Sequence, residues 1–112
     1  MRKITGQIDG NGGAFQWLGK LELNDIDGSV SGTITWKCSQ GYDGTETVVG
    51  TLDGSALEFK GVGEVQNRGR HQVVNCSYSG TLENDWIQLT WQRPRWVAHG
   101  EAAGKVIVQS QL

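Results

Sequence analysis

A short motif recurs along the chain, and it constrains the fold more than any other feature. In five extended runs a glycine stands two residues before an aliphatic residue: Gly6 and Ile8, Gly19 and Leu21, Gly32 and Ile34, Gly50 and Leu52, Gly80 and Leu82. Successive side chains of a β-strand point to opposite faces, so both residues of each pair lie on one face. Because an interior glycine weakens a strand, its repetition indicates strands that bend or that admit a side chain from across the sheet.

The runs around these glycines alternate apolar and polar residues, which is the pattern of half-buried strands. We distinguish about eight such runs, separated by turn signals such as Asp27-Gly28 and Asp53-Gly54. The connections are too short for the helical crossover that parallel pairing requires. The sequence therefore predicts an all-β protein, an eight-stranded antiparallel up-and-down β-barrel, with a β-sandwich as the alternative.

Length, charge and the absence of long apolar runs limit the number of domains, the kinds of partner and the cellular location that we expect. The 112 residues predict a single β-barrel domain over residues 1–112. A net charge of -2 gives no electrostatic attraction to a phosphate backbone, so we do not expect nucleic acid as a partner. The first residues turn polar and glycine-rich, and no apolar run has the length of a signal peptide or a membrane span. We therefore expect a cytoplasmic protein without a membrane partner.

The residues between Val30 and Gln92 resemble the avidins and the wider calycin group of small ligand-binding barrels. The features that carry the resemblance are Gly32-Thr33, Val49-Gly50-Thr51-Leu52, Cys76-Ser77-Tyr78-Ser79-Gly80 and Trp91. The resemblance implies a barrel that binds a small molecule. Avidins surround biotin with hydrogen-bonding side chains, whereas the third strand here offers Ile34, Trp36 and Cys38. A ureido group would be left unsatisfied among them, so biotin is not the expected ligand.

Aromatic residues on the inner face predict a ligand site near one open end of the barrel. The expected walls are Trp36, Phe59, Tyr78 and Trp91. Large apolar rings suit a small apolar or aromatic ligand. The function that we predict is therefore non-catalytic binding of such a small-molecule ligand, without a cofactor.

Two alternatives remain open at this point. If side chains fill the lumen, the outer surface would be the functional one, and the chain would be a module that binds a protein partner or forms a homo-oligomer. The residues predicted for that interface are Val49, Val73, Trp86 and Trp96. A barrel-type cyclase or isomerase would instead use His99 or Glu101 as its acid or base.

The remaining reactive residues do not form a recognisable active site. Cys38 and Cys76 leave a disulfide open, although a chain without an export signal favours free, buried thiols. Two histidines and two cysteines lack the close ligand pairs of a zinc site, and no nucleophile elbow or phosphate loop is present. Basic side chains in two loops either frame an anionic ligand at one rim or are simply solvated: Arg68, Arg70, His71, Arg93 and Arg95.

Overall fold

The predicted fold class is confirmed. A computed structural model describes residues 1–12, 15–94 and 99–110, and its strands form one closed barrel. The strands are β1 (Arg2–Gly12), β2 (Phe15–Ile26), β3 (Ser29–Cys38), β4 (Asp43–Asp53), β5 (Ala56–Asn67), β6 (Ser77–Glu83), β7 (Trp86–Gln92) and β8 (His99–Ser110). Each strand pairs antiparallel with the next, and β8 pairs antiparallel with β1. Among the described residues, no helix has the length and apolarity that a membrane span requires.

The two ends of the barrel differ in their connections. At one end, two-residue turns join β2 to β3, β4 to β5 and β6 to β7. At the first of these turns Asp27 and Gly28 both have positive φ, which matches the twist of a tight hairpin. The opposite end carries the other connections, including the long one between β5 and β6. We call this opposite end the long-loop end.

The inward side chains form a core that changes character along the barrel axis. Toward the two-residue turns it is aliphatic, with Ile4, Leu23, Val30, Leu57 and Val106 buried. Toward the long-loop end it becomes aromatic, with Trp17, Trp36, Phe59 and Tyr78 packed together. The barrel is therefore filled by branched side chains at one end and lined by rings at the other.

Inward glycines mark the points where neighbouring strands approach most closely. A Cβ atom added at Gly50 would lie 1.9 Å from the backbone oxygen of Glu58 on β5. One added at Gly80 would lie 1.8 Å from the backbone oxygen of Gln88 on β7. Both distances are far below van der Waals contact, so no other residue fits these bends without moving a neighbouring strand. This is the bending role that the glycine motif predicted.

The alternating residues Val74, Cys76 and Tyr78 predict one continuous sixth strand, and this part of the prediction is wrong. Residues 72–76 do not extend β6, which begins at Ser77. The Asn67 side chain accepts a hydrogen bond from the Val73 amide at 2.6 Å and donates one to the Val73 carbonyl at 3.1 Å. This pair of bonds holds the segment across the long-loop end, and Val73 is buried in the core. Val73 therefore does not lie on an outer interface, because strand alternation does not continue back from Tyr78.

Replacing Gly50 by alanine tests the close approach of β4 and β5. We expect G50A to lower the free energy of unfolding by about 1–3 kcal/mol, because the added methyl group must displace the β5 backbone. The exposed residue Thr47 on the same strand supplies the control, T47A, with an expected change within about 0.5 kcal/mol. Guanidinium chloride unfolding measures both variants. Equal effects of the two substitutions would contradict the close packing at Gly50.

Candidate ligand cavity

A cavity of about 250 Å³ lies at the long-loop end of the barrel. Among the described residues, its aromatic lining consists of Phe15, Trp17, Trp36, Tyr42, Tyr78 and Trp91. These rings come from the ends of β2, β3, β6 and β7 and from the connection before β4. Several of them, including Trp17 and Trp91, are partly exposed, so the cavity borders the surface.

The rings are arranged as a wall of mutual contacts. Trp36 stacks against Tyr78 with ring centroids 6.3 Å apart, and the edge of Trp17 meets Trp36 at 6.2 Å. Tyr42 packs on Trp17 at 5.1 Å and on the His71 ring at 4.8 Å. Rings that hold each other in this way keep their orientation in the absence of a ligand.

Among the described residues, glycines make room for two of the three tryptophans at the cavity, Trp36 and Trp91. A Cβ atom at Gly19 would lie 2.7 Å from Cζ3 of Trp36. At Gly12 and Gly100 it would lie 2.1 Å and 2.6 Å from the Trp91 ring. The Trp91 indole N–H also donates to the Asn11 carbonyl at 3.2 Å, which ties the ring to β1. The positions of both rings are therefore fixed by the neighbouring backbone.

Three of the four predicted wall residues line the cavity. Trp36, Tyr78 and Trp91 do so, whereas Phe59 does not. Phe59 is buried in the core with its ring stacked 4.7 Å from that of Tyr78. Alternation identifies Phe59 as an inward side chain, but it does not reveal that the Tyr78 ring stacks on it and that Phe59 lies outside the cavity lining.

A buried carboxyl group that sequence analysis missed lies behind this wall. Glu46 on β4 has no exposed surface. Its Oε2 atom accepts hydrogen bonds from the Tyr78 hydroxyl and, at 3.1 Å, from the Trp36 indole N–H, which is also 2.7 Å from the Tyr78 oxygen. Its Oε1 atom accepts from the Cys76 amide at 2.7 Å. The three donors belong to residues that line the cavity, so Glu46 connects one side of the lining.

The alternation of residues along β4 could have identified Glu46 as an inward side chain. Gly44, Glu46 and Val48 are spaced by two, and all three are buried. The carboxyl group finds space because the residue of β5 that pairs with Val48 is Gly61, where an added Cβ would lie 2.6 Å from Glu46 Oε1. The β4–β5 register also shifts between Thr45 and Thr47, at Glu46 itself. Such bulges re-aim side chains and are not visible as alternation in the sequence.

Burial governs the protonation of this group. Loss of hydration raises the pKa of Glu46 to about 7, against the opposing effect of the bonds from Tyr78, Cys76 and Trp36. Burial, and then the charge of Glu46, raise the pKa of Tyr78 well above its usual value and that of Cys76 to about 12. The Cys76 thiol therefore stays protonated and is a poor nucleophile. Glu46, by contrast, can exchange a proton near neutral pH.

The other candidate residues are distributed around the barrel. Cys38 and Cys76 are both free, so no disulfide joins them. His99 lines the cavity, whereas Glu101 is exposed on β8. Within residues 1–12, 15–94 and 99–110, no cluster of three or more histidine, cysteine or acidic side chains is arranged to hold a metal ion.

The residues predicted for an interface are not brought together. Trp86 and Val49 are exposed, as expected, but they lie on β7 and β4 with two strands between them. Val73 is buried, and Trp96 lies outside the described residues, as does Arg95 of the predicted basic rim. Binding of a protein partner and formation of a homo-oligomer stay predictions, and the positions of these residues give neither of them support.

Replacing Glu46 by glutamine should change how stability depends on pH. The carboxyl group titrates at about 7 when folded and at its usual 4.5 when unfolded, so between these values the unfolded chain releases a proton that the folded chain keeps. Glu46 therefore lowers stability as pH rises from about 4.5 to about 7, by roughly 3 kcal/mol in total, with no further change above that range. We expect E46Q to lack this loss.

Urea unfolding across the same pH range measures the effect. The exposed Glu58 on β5 provides the matched control, E58Q, which should keep the wild-type dependence on pH. Parallel stability profiles for wild type and E46Q would show that Glu46 titrates alike in both states, contrary to its buried position.

No protein-family model matches this chain, and neither does any curated protein or solved structure. A function therefore has to be inferred from the cavity and from the residues around it.

Proposed function

We propose that this protein binds a small aromatic or apolar molecule, without catalysis, in the cavity at the long-loop end. The observation that carries the proposal is an unfilled space of about 250 Å³ surrounded by six aromatic side chains. A concave space with a mostly apolar, aromatic lining and few polar groups is the usual form of a small-molecule site. The volume lies just below the usual range of ligand pockets, so the ligand is small.

The chemistry of the lining supports an aromatic ligand. The indole and phenol rings of Trp17, Trp36 and Tyr78 offer faces and edges to a flat molecule, and ring contacts add to the gain from burying apolar surface. Because these rings already contact one another, little side-chain ordering is required on binding. The resemblance to avidins and calycins, which bind small molecules within barrels, favours the same function.

The location of the cavity gives the proposal further support. The long-loop end is built from connections that vary in length, while the rest of the barrel is a closed and hydrogen-bonded frame. Binding residues are commonly placed on such connections over a rigid scaffold. The buried Glu46 network sets the positions of Trp36 and Tyr78 from behind, as supporting hydrogen bonds do in preorganised sites.

A pair of tryptophans on one strand allows a matched test. Trp91 lines the cavity, whereas Trp86 on the same strand is 49% exposed and faces outward. We expect isothermal titration calorimetry to detect one-to-one binding of a two-ring probe, either 2-naphthamide or 2-naphthoate. W91A should weaken that binding about tenfold, which corresponds to roughly 1.4 kcal/mol of lost ring contact. W86A should leave it unchanged.

Two controls complete the experiment. V74F, which adds a ring at a half-buried residue of the lining outside any strand, should abolish binding by filling the space. Thermal unfolding should show that all three variants remain folded at the temperature of the titration. If neither probe binds the wild type, or if W86A weakens binding as much as W91A does, the cavity is not a site for ligands of this kind.

A further inference from the structure

Arg93 is a cationic residue of the cavity lining, and the Nε atom of its side chain has no hydrogen-bond partner among the described residues. It follows β7 at the long-loop end, and its Nε atom is buried. Within the described part of the chain, no acceptor lies within hydrogen-bonding distance of that atom. A buried N–H group without an acceptor is costly, and a group of a charged side chain more so.

Trp17 supplies a second unsatisfied donor in the same lining. Its indole N–H is buried and has no acceptor among the described residues. The other two tryptophans of the lining differ, because Trp36 donates to Glu46 and Trp91 donates to the Asn11 carbonyl. Two N–H groups of residues in the lining are therefore buried without an acceptor among the described residues.

The charge of Arg93 acts on the wall of the cavity. Burial and the charge of Glu46 raise the pKa of Cys76, while the positive charge of Arg93 opposes that rise. Cys76 also lines the cavity, so the guanidinium lies close enough to influence this wall. Arg68, by contrast, is exposed and pairs with Asp43 at 3.2 Å and with the Thr45 hydroxyl at 3.1 Å. Arg68 is therefore already paired with a carboxylate of the protein, whereas Arg93 has no such ion pair among the described residues.

We infer that the ligand of this cavity is a planar aromatic monocarboxylate, with its carboxylate on Arg93 and its ring among the tryptophan and tyrosine side chains. The inference rests on the proposed binding function and adds the chemical class of the ligand. Arginine and a carboxylate form short, charge-assisted hydrogen bonds that are stronger than neutral ones.

The same charges argue against other ligand classes. Aromatic cages can hold cations, but Arg93 would repel a cation placed among these rings. A dianion such as a phosphate monoester would bring more negative charge than one guanidinium neutralises, and the buried Glu46 carboxyl group lies behind the same wall. A single negative charge on a flat ring system matches both the cation and the apolar walls.

Three probes with the same two-ring frame separate charge from shape. We expect isothermal titration calorimetry near pH 7 to show that 2-naphthoate binds the wild type at least about tenfold more tightly than neutral 2-naphthamide. Cationic 2-naphthylmethylamine should bind most weakly. In R93Q the advantage of 2-naphthoate over 2-naphthamide should fall below about twofold, while binding of 2-naphthamide is retained. R68Q, which removes an arginine already paired at the same end, should keep the full advantage.

Each outcome bears on the inference. Equal binding of 2-naphthoate and 2-naphthamide by the wild type would overturn it and leave the proposed function standing, and this comparison does not depend on the folding of any variant. An advantage that survives in a folded R93Q would also overturn it, because the charge would then be recognised elsewhere. If none of the three probes binds, the proposed function fails and the inference fails with it.

Discussion

The hydrogen bonds between β1 and β8 are the interaction on which the rest of the structure depends. They run from the pair Arg2 and Ser110 at one end to Asn11 and Glu101 at the other. By joining the first strand to the last they remove both sheet edges and commit alternate side chains to an enclosed lumen. The long-loop end, the cavity and the burial of Glu46 all follow from that closure.

Within the closed lumen, the side chains of β4 show how the core and the cavity meet. Val48 lies on the aliphatic side, and Gly44 lies toward the long-loop end. Glu46 stands between them and is held by Tyr78 and Trp36 of the aromatic wall. A carboxyl group with a pKa of about 7 lowers stability at neutral pH, so its place is not explained by packing alone. Its hydrogen bonds with Trp36 and Tyr78 hold the two rings in place, and we propose that this support is the reason for its position.

Alternation of apolar and polar residues shows which face of a strand a side chain occupies, but not which distant residues it contacts. The sequence therefore predicted some parts of this arrangement and not others. It identified the barrel, the inward glycines and the cavity residues Trp36, Tyr78 and Trp91, because each depends on which face of a strand a residue occupies. Val73 was misplaced, and the stacking of Tyr78 on Phe59 was not foreseen, since a side-chain clamp from Asn67 and the covering ring of Tyr78 are contacts between distant residues. Glu46 was missed because a carboxylate at an inward position becomes meaningful only when Tyr78, Trp36 and the Cys76 amide are seen to meet it.

Amide hydrogen exchange followed by NMR tests the closure of the barrel most directly. Hydrogen-bonded pairs alternate along an antiparallel ladder, and the Val106 amide donates on the side of β7. The bonds between β1 and β8 therefore belong to alternate pairs such as Lys3 with Gln109 and Asp9 with Ala103. If β1 and β8 are joined as described, the amides of these pairs will be protected to the same degree as those between β3 and β4. Fast exchange of these amides, with slow exchange kept by the amides of β1 and β8 that face β2 and β7, would show an open sheet and would contradict the enclosed lumen.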